Sequence, residues 1–592
     1  MITTFTYITV AIGIIFFLYI IPAFAIFPRF ILSPRTAASI PFLSISIIIC
    51  IQYILSTLNQ FNHQNVIILV GILSIIGIYR ITKTLSSNIN YWKSVDYIAL
   101  CLITLSSIPL MIILGFDGFQ HADEIYSWNL WAKKIYFNQI ITFESTQSPY
   151  PLALPSFIAF CYKFIGSIDY QLPIKFTFSL IYISTILVIY SFATSKTKVG
   201  IFFISYVILM LVIGIGYEYK KVYADTLMGG FLVASLSLLI SLSKNQPSLE
   251  KISSSTSILV ASVLLVCSAS LTKQGAMVWS MIFFPLLAYV IINKNINIIK
   301  SFKLVLLIPI LTPVLWYFVG GKGFNTNTGV IWRSMGERNF FDQLLYGFNE
   351  SFINHPVLLL FICIVFIVLL KKTNTEKIVL LIGITTSTLL LLLFGAYETT
   401  RLFIHMILVG WMIIFAYGED IISTKIGGSI SIIGNSFYTY AVIGLLFIFW
   451  SISSFNFKLD YISPVKNILD GREVQANWVL GKNGAEQYRE IIQSNMGLWA
   501  SDSHVWGIYY GIHNFSRGEN LSSTNIYDIT DEIIRKQIGW IYTRGNNIKR
   551  LEDFCINSTT KIVTAENPHN QTLYKISPSI LDSCLKKYKH NE

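Results

Sequence analysis

Unbroken apolar runs of about 16 to 25 residues recur through this sequence as far as position 454. A run of that length crosses a hydrocarbon layer of about 30 Å as a helix. Lipid offers the backbone no water, so each crossing segment has to satisfy its own amide groups. The runs are continuous rather than alternating, which predicts helices and not strands. Composition agrees: 12% of the residues are charged, against about 25% in a soluble domain. Expected spans lie at 5–27, 38–58, 65–80, 97–115, 174–193, 199–217, 226–243, 256–272, 276–293, 304–319, 356–370, 378–395, 402–417 and 431–454. The expected architecture is therefore an all-α polytopic membrane domain of about fourteen helices over 1–454. No charge precedes the first run, and Pro28-Arg29-Phe30 at its end is no small-residue cleavage site, so a cleaved signal peptide is not expected.

The net charge of +12 does not point to nucleic acid, because the basic residues are scattered singly and in pairs between apolar runs. Split into two alternating sets, the loops differ sharply. One set holds sixteen Lys and Arg against five carboxylates; the other holds eleven of each. An excess of Lys and Arg marks cytoplasmic loops. The second set and both termini are then expected on the outer side. Residues 151–166 are apolar, but a span there would invert every later loop. With two prolines, Tyr162 and Lys163, the segment is expected as a juxtamembrane or re-entrant helix packed on protein.

After Trp450 the chain turns polar. Residues 455–592 hold sixteen Lys and Arg and fifteen Asp and Glu, and they are expected to form a small soluble α/β domain outside. A helix is expected over 529–538, and a hairpin over 561–565 and 572–576, around Asn567-Pro568-His569-Asn570. Cys50, Cys101, Cys161, Cys267 and Cys363 sit in apolar runs and read as packing residues. Cys555 and Cys584 lie in the outer domain, where a disulfide can form.

The chemistry-bearing residues gather in the outer set. The long loop 116–173 opens with Asp117, His121, Asp123 and Glu124. Trp128, Trp131 and Ile135 then recur at helical spacing beside Lys133 and Lys134, the pattern of an amphipathic helix with tryptophans at headgroup level. Read plainly, this is a solvated membrane anchor. The same side also carries Asp225 at a helix start, Lys273 in a short turn, Arg333 and Arg338 in the loop 320–354, and Arg401 in a tight turn. Ionisable groups near membrane depth are functional candidates. Together they suit transfer of a sugar from a lipid phosphate. A carboxylate would act as general base on an acceptor hydroxyl, and Lys273, Arg333 and Arg401 would stabilise the departing phosphate. His121, Asp123 and Glu124 leave room for a divalent cation. No other cofactor is expected, and no His/Cys spacing fits a structural zinc site.

Asp123-Glu124 followed by aromatics, Tyr150-Pro151-Leu152 before a short apolar helix, and Tyr223-Ala224-Asp225 at a helix start resemble the GT-C superfamily of membrane glycosyltransferases. That superfamily includes protein O-mannosyltransferases and lipid A aminoarabinose transferases. The resemblance covers roughly 97–420. It implies Asp123 as catalytic base, Glu124 as a residue shaping the site, and Asp225 as a contact to acceptor or sugar. His121, Tyr150, Lys273, Arg333 and Arg401 complete the expected substrate site. It implies outer juxtamembrane helices, a polyprenyl-phosphate sugar donor, and a glycan, lipid or protein acceptor at the outer face of a cytoplasmic membrane. Four expected spans precede the acidic loop where the family usually has one, so Asp117 stands beside Asp123 as an alternative base. An O-antigen polymerase or ligase would rely instead on Arg333, Arg338 and His355. A transporter of lipid-linked glycans would carry its charges at the bilayer midplane, in two matching halves, and no internal repeat is visible.

Overall fold

The computed structural model describes residues 2–86, 124–141, 151–193 without 169, 222–244, 255–273, 276–293, and 339–418 without 372 and 395–398. It also describes five short strands between 497 and 575 and a few single residues. Helix dominates. The helices are α1 (Phe5–Ile26), α2 (Ile40–Thr57), α3 (His63–Ser86), α4 (Leu130–Asn138), α5 (Ala153–Ile165), α6 (Gln171–Tyr190), α7 (Ala224–Ser243), α8 (Ser255–Thr272), α9 (Ala276–Asn293), α10 (Phe340–Phe348), α11 (Pro356–Leu370), α12 (Thr375–Phe394) and α13 (Thr399–Tyr417). Among the described residues seven helices are long and apolar enough to cross a membrane, or eight if the bent pair 340–353 and 356–370 is one span. The expected spans at 97–115, 199–217, 304–319 and 431–454 lie largely outside the described residues.

At the centre stands α7, whose twenty residues are all buried. A helix apolar on every side belongs in the middle of a bundle. It packs against α6, α8, α9 and α13. Small residues permit this, as between membrane helices generally. Ser235 donates to the Ser262 carbonyl on α8 at 2.8 Å. A Cβ at Gly230 would stand 2.3 Å from the Phe42 ring of α2. By contrast α3 leaves most of its surface exposed, as a lipid-facing helix would.

Proline in α1 is handled by a neighbour. Pro22 has no N–H to give its own helix, and a π-helical turn, Ile15–Ile20, precedes it. Ser44 of α2 meets the disturbed backbone, donating to the Ile20 carbonyl at 3.2 Å and accepting from the Ala23 N–H at 3.0 Å. This is how a membrane helix keeps a proline without leaving polar groups bare.

The segment 151–166 forms α5, thirteen residues that are too short to span. It ends at Gly166 in the left-handed conformation, with φ of 87°. The tryptophan stripe departs from expectation. Trp128, Trp131 and Ile135 do fall on one helical turn system, but they are buried in the protein, not spread at headgroup level. The reason is α5, which packs against α4 and takes its apolar face. The loop 320–354 also departs, since its second half is helical. Of the cysteines, Cys161 and Cys267 are buried, whereas Cys50 and Cys363 are exposed on their helices. The pair Cys555 and Cys584 lies outside the described residues.

In the C-terminal region the strands β1 (Gly497–Ala500), β2 (Ser516–Arg517), β3 (Ile538–Arg544), β4 (Lys561–Thr564) and β5 (Gln571–Lys575) make one sheet in the order β2-β1-β3-β5-β4. β1 runs parallel to β2 and β3, and β3 runs antiparallel to β5. The expected hairpin is present as β4 and β5, with Thr564 opposite Thr572. Of the helix expected over 529–538, Ile538 instead opens β3, and the remainder lies outside the described residues.

The packing of α7 generates a test. Gly230→Ala forces a methyl into the Phe42 ring and is expected to destabilise by about 1–3 kcal/mol. Gly71→Ala meets nothing within 4 Å and is expected to be neutral or stabilising. Thermal unfolding in detergent measures both; equal midpoints would contradict the close approach.

Candidate functional site

Two buried charge clusters meet at one end of the bundle. The first is built on the start of α7. Tyr223 is extended there, with ψ of 150°, and Asp225 follows in the first helical turn. A carboxylate is favoured at a helix N-terminus and a cation at a C-terminus. Lys273 directly follows the last residue of α8, which runs antiparallel against α7. The two side chains therefore meet: Lys273 Nζ lies 2.6 Å from Asp225 Oδ1, with the lysine side chain 11% exposed and the aspartate 2%. The same Oδ1 lies 3.9 Å from His405 Nε2 on α13. That is an electrostatic contact and too long for a hydrogen bond. The imidazole fits over Gly229, one turn below Asp225, where a Cβ would come within 3.4 Å of Nδ1. Arg401 lies in the first turn of α13, one turn before His405.

The second cluster is built on Glu124. Glu124 is fully buried. Its Oε1 accepts from the Val222 N–H at 2.7 Å, three residues before Asp225, and Lys175 Nζ stands 3.2 Å away. Lys175 lies in the first two turns of α6. Next to it, Asn129 donates to Gln171 Oε1 at 3.0 Å and accepts from the Tyr162 hydroxyl at 2.7 Å. The segment 124–138 is thus fastened to α5, α6 and the start of α7 by groups that burial leaves no water to replace. Residues 124–129 form a π-helical turn, a geometry frequent at functional sites. On the far side of α4, Lys163 Nζ lies 4.3 Å from the centre of the Tyr136 ring. Burial lowers the pKa of this ammonium and raises that of the phenol.

The opposite end of the bundle is built from the other loop set. Lys244, just past α7, donates to the Ala416 carbonyl, and the Tyr417 hydroxyl donates to Glu376. Lys377 caps the end of α11 through the Lys371 carbonyl at 2.7 Å. Asp225 and Lys244 stand apart by the length of α7, about 30 Å at 1.5 Å per residue. The two loop sets therefore lie at opposite ends of one helix.

Of the residues expected from sequence, Asp225 and Lys273 are in contact, Glu124 is tied to the chain leading into Asp225, and Arg401 lies in the first turn of the helix that carries His405. Asp117, His121, Asp123, Tyr150 and Arg333 lie outside the described residues. Sequence reasoning missed His405 and Lys175. Both had a signal: each is an ionisable residue within an apolar span. Among the described residues no cluster of three His, Cys, Asp or Glu could hold a metal ion. No protein-family model, characterised protein or solved structure matches the chain.

Glu124→Gln removes the partner of a buried lysine. The expected cost is about 3–5 kcal/mol, because an uncompensated charge stays inside. The double variant Glu124→Gln/Lys175→Met leaves no such charge and should recover much of the loss. Unfolding midpoints in detergent read this out; a double variant no better than the single one would contradict the pairing.

Proposed function

We propose that this chain transfers a sugar from a polyprenyl-phosphate carrier to a glycan, lipid or protein acceptor, at the membrane face where Glu124, Lys175, Asp225, Lys273 and His405 gather. The observation that carries this reading is the Asp225–Lys273–His405 cluster. It is a buried carboxylate flanked by a lysine and an imidazole at the boundary of the apolar bundle, where a lipid-borne phosphate would present itself. The resemblance of the acidic loop to GT-C glycosyltransferases adds the reaction class.

In the proposed step the acceptor oxygen attacks the anomeric carbon with inversion. Its proton passes to Asp123. The bond from the anomeric carbon to the phosphate oxygen breaks, and the electron pair leaves with polyprenyl phosphate. Lys273 and His405, with Arg401 and Arg333, would offset the charge that grows on this phosphate. Glu124 is a positioning residue, fixed to the Val222 amide and to Lys175. Asp225 holds Lys273 in place and lies within reach of acceptor or sugar. The charges sit at helix ends and not halfway along α7 or α8, which favours transfer over transport.

The full topology belongs to the same proposal. Fourteen spans carry the site on the outer side of a cytoplasmic membrane, with 455–592 as an outer α/β domain. The excess of Lys and Arg in the opposite loop set supports that orientation.

Asp123→Asn should leave membrane insertion intact and lower transfer by about 10²- to 10⁴-fold, the usual contribution of a general base. Mass spectrometry of envelope glycans from cells with intact or variant protein, matched for membrane expression, reads this out. Loss of one sugar in the variant names the donor. Identical profiles would contradict Asp123 as the base and turn attention to Asp117.

A further inference from the structure

A second feature at this end of the bundle is independent of the transfer reading. Asn339 caps α10, its side chain accepting from the Asp342 N–H at 2.9 Å. The helix continues through a π-helical turn, Asn349–Ile353, and the whole segment 340–353 meets α11 at 97°. One flank is docked on protein. Gln343 donates to the Leu393 carbonyl at 3.1 Å. Gly347 presses on the end of α12 so closely that a Cβ would stand 2.0 Å from the Leu392 carbonyl oxygen. Phe352 packs on Phe403 of α13, with ring centres 5.9 Å apart.

The remaining surface divides in two. At 100° per residue, Phe341, Leu345 and Phe348 share one sector, and they are 72%, 60% and 37% exposed. Asn339, Asp342 and Asn349 share another and are exposed as well. So the helix has a docked flank, a bare apolar flank and a polar flank. If α11 runs along the membrane normal, a helix at 97° to it runs in the membrane plane, at the level where α11 begins. Below it α11 exposes Leu360, Ile364 and Ile367, as a lipid-facing surface would. Between 339 and 355 there is no Lys or Arg, so attraction to anionic headgroups plays no part.

We infer that segment 340–353 is an interfacial helix, with Phe341, Leu345 and Phe348 immersed in the acyl chains of the leaflet next to the Asp225–Lys273 cluster. Apolar burial alone holds such a helix at the surface of a neutral membrane. Through Phe352 it touches α13 two residues before His405, so the leaflet bears directly on the end of the bundle that carries the charges.

The test uses the full chain in phosphatidylcholine vesicles, with a fluorescent amino acid introduced by stop-codon suppression at 341, 345, 342 or 349. Lipids brominated on their acyl chains should quench the probes at 341 and 345, and aqueous iodide those at 342 and 349. Adding anionic lipid should leave the pattern unchanged. Iodide quenching of all four probes equally would overturn the inference by putting the helix in water. So would a probe at 341 or 345 that neither quencher reaches, since another protein surface, such as a second copy, would then cover the apolar flank.

Discussion

A helix enclosed on every side can keep charge only at its ends. That constraint governs α7, and much of the described structure follows from it. Its interior is made of apolar and small residues, which let α2, α8 and α13 approach closely. Its first turn carries Asp225 where the helix dipole favours a carboxylate. Its last residue gives way to Lys244, which caps the end of α13. The Asp225–Lys273 pair is stable because each charge sits at the favourable terminus of its own helix, and the two helices are antiparallel neighbours.

The same logic explains the partners of Glu124. A buried carboxylate needs partners on all sides, and Glu124 finds them in Lys175 and the Val222 amide. Through that amide Glu124 is tied to the extended lead into α7, three residues before Asp225. Glu124, the lead into the central helix and the start of α6 are therefore joined, with α13 bringing His405 beside Asp225. Segment 340–353 rests on the ends of α12 and α13 and borders the same region.

The helical layout was legible in the sequence because hydropathy is a long-range average: spans such as 226–243 and 256–272 fall within two residues of α7 and α8. The placing of Lys244, Lys371 and Lys377 at the other end from Asp225 and Lys273 followed from the alternation of loops between expected spans. What depended on tertiary packing was not legible. The Trp128–Trp131 stripe has the pattern of a membrane-surface helix, and only the presence of α5 decides that it is buried. Helix α10 was read as loop because its apolar sector is short and split by Asp342 and Gln343. At the site, Asp225 and Lys273 stood out as charges at span ends. His405 was hidden because one imidazole in an apolar run has no visible partner until α13 is laid beside α7.

The most direct test of the account is binding of a short-chain prenyl phosphate, such as farnesyl phosphate, to the purified full chain, followed by native mass spectrometry. The comparison is with Asp225→Asn/Lys273→Met, which removes the lysine charge without leaving a buried carboxylate unpaired. The account predicts that the intact protein retains the prenyl phosphate and that the double variant binds at least about tenfold more weakly, a loss of about 1.4 kcal/mol. Equal binding by two equally folded proteins would contradict a lipid-phosphate site at this end of the bundle.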